Sequence, residues 1–343
     1  MLCSTFFSPD ILVTGSHRSG TTWVGQTVAR RDDVVYEHEP FNVDHPNAAS
    51  GLRLKTWFTH FESSSQKSEI VAGLDRLFSR GAIRHAVRVC RDSELDVKTP
   101  LRFAKHLTVG YRARPRVLVK DPIALLSAGW IYERYRCRVI CMIRNPLGFV
   151  GSLKHAGWKF DFDHLRRQTE LMQGWLRPFA DRVEAACRPP NSDDLIGKTA
   201  LLWNILHFVI LRYQARYRSW LFVRHEDLAN DPEAGFRKIM AYLGLRMMPE
   251  LLRYIEAYSS PAEGLVSEGV EYRPRDPLEV CQSYRRRLSA DEIQRVQELT
   301  ADVAKQLCGC DVTRGQDWVT ALHGRERAGK IRTNRTDAGQ SHI

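Results

Sequence analysis

A glycine-bracketed segment near the start of the chain has the spacing of a phosphate-binding turn. The apolar run over 11–14 predicts a strand, and Gly15 and Gly20 bracket a turn before a helical pattern that begins at Thr21. Such a turn directs backbone N–H groups and a helix N-terminus towards one point, where they can bind phosphate oxygens. The spacing is that of a P-loop, but Thr21 replaces the P-loop lysine and the positive charge lies inside the turn, at Arg18. A tight turn with incidental glycines is the alternative interpretation.

A second cationic position, some distance along the chain, follows another apolar run. Residues 138–143 predict a strand that ends at Arg144, and parallel sheets bind ligands at the carboxyl ends of their strands. Asn145 and Pro146 suit the N-cap and the first turn of a helix. Ser152 then lies in the second turn, near enough to share an anion with Arg144. Alone, Arg144 is an ordinary strand-end charge; together with the loop it predicts a ligand with two separate anionic groups.

Side chains that could take a proton from a hydroxyl group follow two further predicted strands. We prefer Glu39 as the general base because it lies 21 residues after Arg18, past a helix and a short strand, so that the chain returns to the same sheet edge. Lys120 ends another strand, where its charge can stabilise a transferred oxyanion. Asp121 is a second candidate base or a structural partner. A loop carboxylate paired with an arginine is the alternative interpretation of Glu39.

The segment from Gly15 to Trp23 resembles the 5′-phosphosulfate loop of sulfotransferases that use 3′-phosphoadenosine 5′-phosphosulfate (PAPS). Tyrosylprotein, carbohydrate and bacterial enzymes carry its Arg-Ser-Gly-Thr-Thr form. In the family, an Arg and a Ser eight positions apart, as in Arg144 and Ser152, bind the 3′-phosphate. The residues that the resemblance assigns to donor binding are Gly15, His17, Arg18, Ser19, Gly20, Thr21, Thr22, Trp23, Arg144, Ser152, His225, Arg285 and Arg286.

Some of these assignments have alternatives. The family often has Tyr where His225 stands, which leaves its contact with the donor open. Arg285 and Arg286 could close over the 3′-phosphate or could equally be exposed charges at a helix start. For His17, a surface or hydrogen-bonding role is the alternative.

The resemblance also implies a reaction. The Lys-Asp-Pro segment at Lys120 resembles the tyrosylprotein type, in which the lysine assists the sulfuryl oxygens. The His-Glu-Pro segment at Glu39 resembles the one that supplies the base in some bacterial enzymes. The implied catalytic residues are therefore Glu39, Arg18 and Lys120, acting in direct in-line transfer to an acceptor hydroxyl. No metal is expected, because arginine, lysine and backbone amides meet the charge of the donor.

Five apolar runs alternate with helical patterns. The runs predict strands over 11–14, 34–36, 116–119, 138–143 and 220–223. This alternation is typical of an α/β fold with a P-loop-like central parallel sheet flanked by helices, which is also the fold that the resemblance implies.

The chain is expected to form a single sulfotransferase domain over 1–312. Helical insertions at about 43–112 and 155–200 are predicted to wall the acceptor site, and residues 313–343 are predicted to be a basic, flexible tail. Aromatic side chains in those insertions favour a carbohydrate or lipid-linked sugar as acceptor.

Helix boundaries can also be predicted. The loop helix is expected over 21–31, and two long helices over 162–218, split near the prolines at 189 and 190. Asp231 is predicted to cap one helix, and a loop is expected over 260–287. Ser289, with Glu292 three residues on, is predicted to cap the last helix.

The composition is that of a globular protein, since 43% of the 343 residues are hydrophobic and 27% are charged. The eight cysteines form no CxxC pair, which favours reduced thiols in a cytoplasmic protein over zinc or disulfides. The longest apolar run, 200–211, is too short and too interrupted to predict a transmembrane segment. The first ten residues lack the pattern of a secretion signal or anchor.

The net charge of +11 favours anionic partners but does not choose among them. A P-loop phosphotransferase that uses ATP and Mg²⁺ is the main alternative function, although it lacks the loop lysine and leaves Arg144 and Ser152 unexplained. A basic module for nucleic acid or acidic lipid explains the charge but not the phosphate loop, so no nucleic-acid partner is expected.

Overall fold

Five parallel strands form the sheet that carries the predicted site residues. The computed structural model describes residues 9–45, 51–61, 68–79, 115–188, 194–259 and 277–308. The sheet has the order β2-β3-β1-β4-β5, and each neighbouring pair is parallel. The strands are β1 (Ile11–Gly15), β2 (Val34–His38), β3 (Arg116–Lys120), β4 (Arg138–Ile143) and β5 (Leu221–Arg224). The prediction of an α/β fold around a central parallel sheet is confirmed, and each predicted strand is present within two residues of its expected bounds.

Helices follow the strands and pack on both faces of the sheet. They are α1 (Thr21–Val28), α2 (Ser68–Ser79), α3 (Ala128–Tyr135), α4 (Pro146–Ala156), α5 (Asp163–Arg166), α6 (Thr169–Gln173), α7 (Ala180–Cys187), α8 (Leu195–Arg216), α9 (His225–Asn230), α10 (Pro232–Leu243), α11 (Pro249–Ser259), α12 (Pro277–Gln282), α13 (Tyr284–Arg287) and α14 (Ala290–Cys308). Two short 3₁₀ helices, Ile123–Ser127 and Arg177–Phe179, complete the described secondary structure.

Alternate residues of the central strand β1 face two different cores. Leu12 packs in the core that contains Trp203 of α8, whereas Val13 packs in the core that contains Phe236 of α10. Successive side chains of a strand point to opposite faces, and parallel sheets are covered on both. This is why the strand sequences are unbroken apolar runs and do not alternate between apolar and polar residues.

Three predicted helix starts have the expected caps. The Asn145 side chain accepts a hydrogen bond from the amide two residues on at 2.8 Å, and the Asp231 side chain accepts one from the amide three residues on at 3.0 Å. Ser289 and Glu292 form a capping box, with reciprocal hydrogen bonds of 2.8 and 3.2 Å. The Asn145 cap matters for the site, because it fixes where α4 begins directly after Arg144.

The prediction of two long helices over 162–218 is half wrong. Helix α8 is long, but the described part before it is broken into α5, α6, a 3₁₀ turn and α7. The interruption falls at Gly174, which has non-helical angles, and at Pro178, which lacks an N–H to continue a helix. The predicted loop over 260–287 is also wrong where it is described, since α12 and α13 occupy 277–282 and 284–287. The first helix, α1, ends at Val28 rather than at 31.

Helix α8 is the one described helix that is long and apolar enough to cross a membrane by length and composition. However, 67% of its apolar window is buried inside the fold, as is usual for the core helix of a globular domain. Most of the predicted 43–112 insertion and the whole 313–343 tail lie outside the described residues, so the domain boundaries stay predictions.

Candidate active site

The turn between β1 and α1 lies tightly against the end of the sheet. Gly15 has a φ of +131°, and a Cβ there would collide with the backbone of Met142 on β4. Gly20, with a φ of +85°, is the N-cap of α1, and a Cβ there would lie 2.7 Å from Nδ1 of His225. Arg18 also adopts a left-handed conformation, with a φ of +62°, which is strained for a residue other than glycine. A strand, a tight turn and a helix N-terminus follow one another here, which is the architecture of an anion-binding loop.

The hydroxyl residues of the loop are enclosed by the fold. Ser19 is fully buried and its hydroxyl donates to the carbonyl of Ser16, which closes the turn. Thr21 is buried, whereas Thr22 is half-buried at the first turn of α1. The Ser16 hydroxyl is buried without a hydrogen-bond partner, so a polar group of the loop is left for a ligand to satisfy.

Trp23 and His225 pack together behind the loop. Their ring centroids are 6.4 Å apart, and Trp23 also meets the ring of Phe236 edge-on at 5.3 Å. Burial, together with the nearby charge of Arg144, lowers the pKa of His225 well below its ordinary value, so the imidazole is neutral. The structure thus brings His225 to the loop, where it supports Gly20 from behind.

Arg18 connects the loop to the second predicted anion site. Its Nε donates to Oγ of Ser152 at 3.0 Å, and Nη1 of Arg144 donates to the backbone carbonyl of Arg18. Arg144 and Ser152 are each only 4% exposed. The ends of β1 and β4 are neighbours in the sheet, and this brings both cationic side chains into one continuous polar cluster. That the cluster binds two separate anionic groups stays a prediction.

Glu39 and Lys120 form an ion pair at the adjoining edge of the sheet. Lys120 Nζ donates to Oε1 of Glu39 at 2.5 Å, and Asn42 Nδ2 donates to Oε2 at 3.2 Å. Lys120 is fully buried, whereas the Glu39 side chain is 22% exposed. Burial raises the pKa of Glu39, but the charge and hydrogen bond of Lys120 outweigh it, so the pKa lies below its ordinary value. Glu39 is therefore ionised, as a general base must be. Its φ of +41° marks a second strained residue at the site.

Asp121 has a structural role in this geometry. Its Oδ2 accepts a hydrogen bond from the amide of Phe41 at 2.6 Å, and its Oδ1 accepts from the amides of Ile123 and Ala124 at 2.9 and 3.2 Å. The side chain thus ties the segment after Glu39 to the start of the 3₁₀ helix. Burial raises the pKa of Asp121 to about 7. Both oxygens accept from backbone amides, which favours the structural role of Asp121 over that of a base.

His17 lies in an aromatic environment rather than on the surface. Its ring centroid is 4.9 Å from Phe149, 4.8 Å from Trp158 and 5.8 Å from Phe58. Burial lowers the pKa of His17 to about 3, with a smaller contribution from the charge of Arg18. Both ring nitrogens are buried without a hydrogen-bond partner, so the surface and hydrogen-bonding alternatives do not describe this state of the molecule.

Arg285 and Arg286 lie on α13, which packs beside α4. Both side chains are exposed, and Arg286 forms an ion pair with Glu279 at 2.6 Å, while Arg285 lies 5.9 Å from the ring of Tyr284. The structure therefore places these arginines on a helix that packs beside the one that carries Ser152.

Sequence reasoning missed four residues that organise the site: Asn42, Trp203, His207 and Glu226. Asn42 holds the carboxylate of Glu39, and the other three hold the chain at Arg144 and Asn145. An Asn three residues after a candidate base is a readable sign of a local hydrogen bond. For His207 on α8 the available signal was its interruption of the most apolar run in the chain.

Within the ranges that the structure describes, no three His, Cys, Asp or Glu side chains are grouped as metal ligands. The expectation of metal-free chemistry stays a prediction.

Comparison with known proteins identifies the class to which this fold and site belong. A model described as the sulfotransferase family matches residues 9–250, which include the loop, the ion pair and the polar cluster. The chain belongs to the sulfotransferase family.

Among curated relatives, the chain is 39% identical over 339 residues to mouse carbohydrate sulfotransferase 5, covering 87% of this chain and 80% of that protein. It is 36% identical to human carbohydrate sulfotransferase 5, covering 87% of this chain and 77% of that protein. Among solved structures, mouse sulfotransferase SULT7A1 complexed with PAP matches with a TM-score of 0.44 at 12% identity, covering 95% of this chain and 91% of that one.

Proposed function

We propose that this protein transfers a sulfuryl group from PAPS to a hydroxyl group of a carbohydrate. The observation that carries the proposal is the meeting, at one sheet edge, of a phosphate loop, a buried Arg-Ser pair and an ionised carboxylate held by a buried lysine. Family membership supports the sulfuryl chemistry, and the loop form and the Arg144–Ser152 pair support PAPS as donor. The donor supplies an activated sulfuryl group and a stable bisphosphate leaving group.

Each residue of the site has a task in direct transfer. The ionised Glu39 takes the proton from the acceptor hydroxyl as that oxygen attacks sulfur. Lys120, which already lies against Glu39, stabilises negative charge on the transferred group, and Arg18 stabilises charge at the 5′-phosphate end. Arg144 and Ser152 bind the 3′-phosphate through charge-assisted hydrogen bonds. The strained backbone at Arg18 and Glu39 fixes both groups before any ligand binds.

A carbohydrate acceptor is supported by the relatives and by an aromatic-lined cavity. The mouse and human relatives are named carbohydrate sulfotransferases. A cavity of about 170 Å³ lies between the end of α4 and the start of α8, and Trp158 and Phe160 line it together with Lys159 and Lys198. Trp158 also contacts His17 in the phosphate loop, so one ring connects a wall of this cavity to the loop. Apolar walls with a few polar groups are typical of small-ligand sites.

ATP-dependent phosphoryl transfer is not favoured. The loop has Thr21 where a kinase lysine would reach the β- and γ-phosphates, and Asp121, the acidic residue at the strand end, is committed to three backbone amides. The cytoplasmic location stays a prediction; Cys137, Cys141, Cys187 and Cys281 are free thiols.

Ligand-induced stabilisation and a labelled-donor assay test the proposal. Adenosine 3′,5′-bisphosphate should raise the melting temperature at lower concentrations than ATP or AMP, with or without Mg²⁺. With PAPS labelled in the sulfuryl group, label should appear in saccharides carrying free hydroxyls. Stabilisation by ATP and Mg²⁺ alone, without a response to the bisphosphate, would contradict the proposed donor.

A further inference from the structure

Side chains from α8 and α9 hold the backbone at the end of β4. Trp203 Nε1 donates to the carbonyl oxygen of Arg144 at 2.9 Å, and the amide of Arg144 donates to Nε2 of His207 at 3.3 Å. The next amide, that of Asn145, donates to Oε1 of Glu226 at 3.0 Å. All three hydrogen bonds are to the backbone, so those from Trp203 and His207 act on the path of the chain. The Glu226 carboxylate also interacts with the charge of Arg144, which lowers its pKa against the larger effect of burial.

The sheet itself cannot fix this position. The pairing of β4 with β1 ends at Met142, and its pairing with β5 ends at Ile143. The peptide groups of Arg144 therefore lie beyond the ladder, and buried peptide groups need partners. Trp203 and His207, one helical turn apart on α8, supply one acceptor and one donor for this single residue.

His207 is held in the one state that can accept a hydrogen bond from Arg144. Its Nδ1 lies 2.9 Å from the carbonyl oxygen of Trp203, which can only accept, so Nδ1 carries the proton and Nε2 is the acceptor. Burial lowers the pKa of His207 to about 3, which keeps the ring neutral. The ring stacks on Trp203 with centroids 4.2 Å apart, and Phe149 meets it edge-on at 6.5 Å.

The Arg144 side chain passes through a narrow space between α4 and the phosphate loop. A Cβ added at Gly148 on α4 would lie 3.0 Å from Nε of Arg144, and Nη1 of the same side chain donates to the carbonyl of Arg18. A small tilt of the Arg144 backbone would therefore move the guanidinium away from the Arg18 carbonyl in the loop. The backbone contacts from α8 are what prevent that tilt.

We propose that His207 and Trp203 are positioning residues that set the selectivity of the protein for a nucleotide carrying a 3′-phosphate. They act through Arg144 by fixing the direction in which its guanidinium leaves the sheet. The inference rests on the proposed function, because it takes Arg144 as the ligand of the 3′-phosphate.

The test compares two nucleotides that differ by that phosphate. Affinities of the full chain for adenosine 3′,5′-bisphosphate and for AMP are measured by calorimetry or by competition. His207→Phe keeps an aromatic ring on Trp203 but removes the acceptor for the Arg144 amide, and Trp203→Phe removes the donor to its carbonyl. Tyr213→Phe is the matched control, since it lies on the same helix and loses a buried hydrogen bond to Leu125 at 3.0 Å, but has no described contact with Arg144.

Each positioning variant should bind the bisphosphate about tenfold more weakly, a change of about 1.4 kcal/mol, while AMP binding stays within about twofold. Tyr213→Phe should lower the melting temperature without changing the ratio of the two affinities. A folded His207→Phe or Trp203→Phe variant with the wild-type ratio would overturn the inference and leave the proposed function standing. If His207→Phe does not fold, the affinity ratio of Trp203→Phe tests the inference, because that variant removes the hydrogen bond to the Arg144 carbonyl instead of the one from its amide. A wild-type protein without preference for the bisphosphate would instead refute the proposed function, and this inference with it.

Discussion

Replacing Glu39 with Gln tests the assignment of the general base most directly. The substitution removes the proton acceptor but keeps the size of the side chain, and an amide oxygen can still accept from Lys120 Nζ, which now lies 2.5 Å from the carboxylate. General-base catalysis contributes about 10²- to 10⁴-fold, so kcat should fall by that factor. The loss of charge beside a buried lysine should also cost about 1–3 kcal/mol of folding free energy. That cost is moderate because Glu39 is partly exposed.

The assay separates chemistry from donor binding. Turnover is followed with PAPS labelled in the sulfuryl group and an acceptor saccharide, and the Kd for adenosine 3′,5′-bisphosphate is measured by calorimetry. Because Glu39 has no described contact with Arg18, Arg144 or Ser152, the Kd should stay within about twofold of wild type while kcat falls.

Asp121→Asn is the comparison variant for Glu39→Gln, because Asp121 is the other candidate base. Asp121 accepts three backbone hydrogen bonds, and an asparagine oxygen can replace only some of them, so this variant should lose stability but keep most of its turnover once folded. Near-normal kcat in Glu39→Gln, together with a large loss in folded Asp121→Asn, would show that the base had been assigned to the wrong carboxylate.

Two further outcomes follow from the polar cluster and the buried histidines. Arg144→Ala should weaken binding of adenosine 3′,5′-bisphosphate at least about tenfold more than binding of AMP, because it removes a buried charge-assisted partner of one phosphate; calorimetry with equal losses for the two nucleotides would exclude the pocket. Acidification from pH 7.5 to 5 should lower the free energy of unfolding. His17, His207 and His225 have folded pKa values far below 6.5 and take up protons on unfolding, whereas Asp121, with its pKa raised to about 7, releases one. Burial also raises the pKa of Glu226, which can then release a proton as well, but the uptake by three histidines exceeds this release near pH 5. Urea unfolding that showed a constant or rising free energy of unfolding as the pH falls over this range would contradict the assigned burial.

The strands and the loop were predictable because their signals are local. Apolar runs that end in Gly15, Lys120 or Arg144 mark both a strand and the edge where it stops, and parallel pairing then places those ends together. The contact between Arg18 and Ser152 was not predictable, because it depends on which strands are neighbours and on the direction of a long side chain.

The environment of His17 and the role of His207 were not predictable for a different reason. His17 reads as a polar loop residue, yet tertiary packing surrounds it with Phe58, Phe149 and Trp158, rings that come from three parts of the chain. His207 is visible in the sequence only as an interruption in an apolar helix, and only the fold shows that it accepts a hydrogen bond from the Arg144 amide at the end of β4. A pattern within one element indicates burial but not the partner that a buried polar group will find.

The left-handed backbone at Arg18 and Glu39 lowers the stability of the fold at two residues whose side chains the activity requires. Each such residue costs of the order of 1–3 kcal/mol, and glycine at either position would relieve that cost. Glycine would also delete the guanidinium that reaches Ser152 or the carboxylate that pairs with Lys120. At Glu39 the relief is offset, because the fully buried Lys120 would lose its charged partner. Laboratory evolution for heat resistance alone would therefore be drawn to the codon of Arg18, and the more stable glycine variant would be the inactive one.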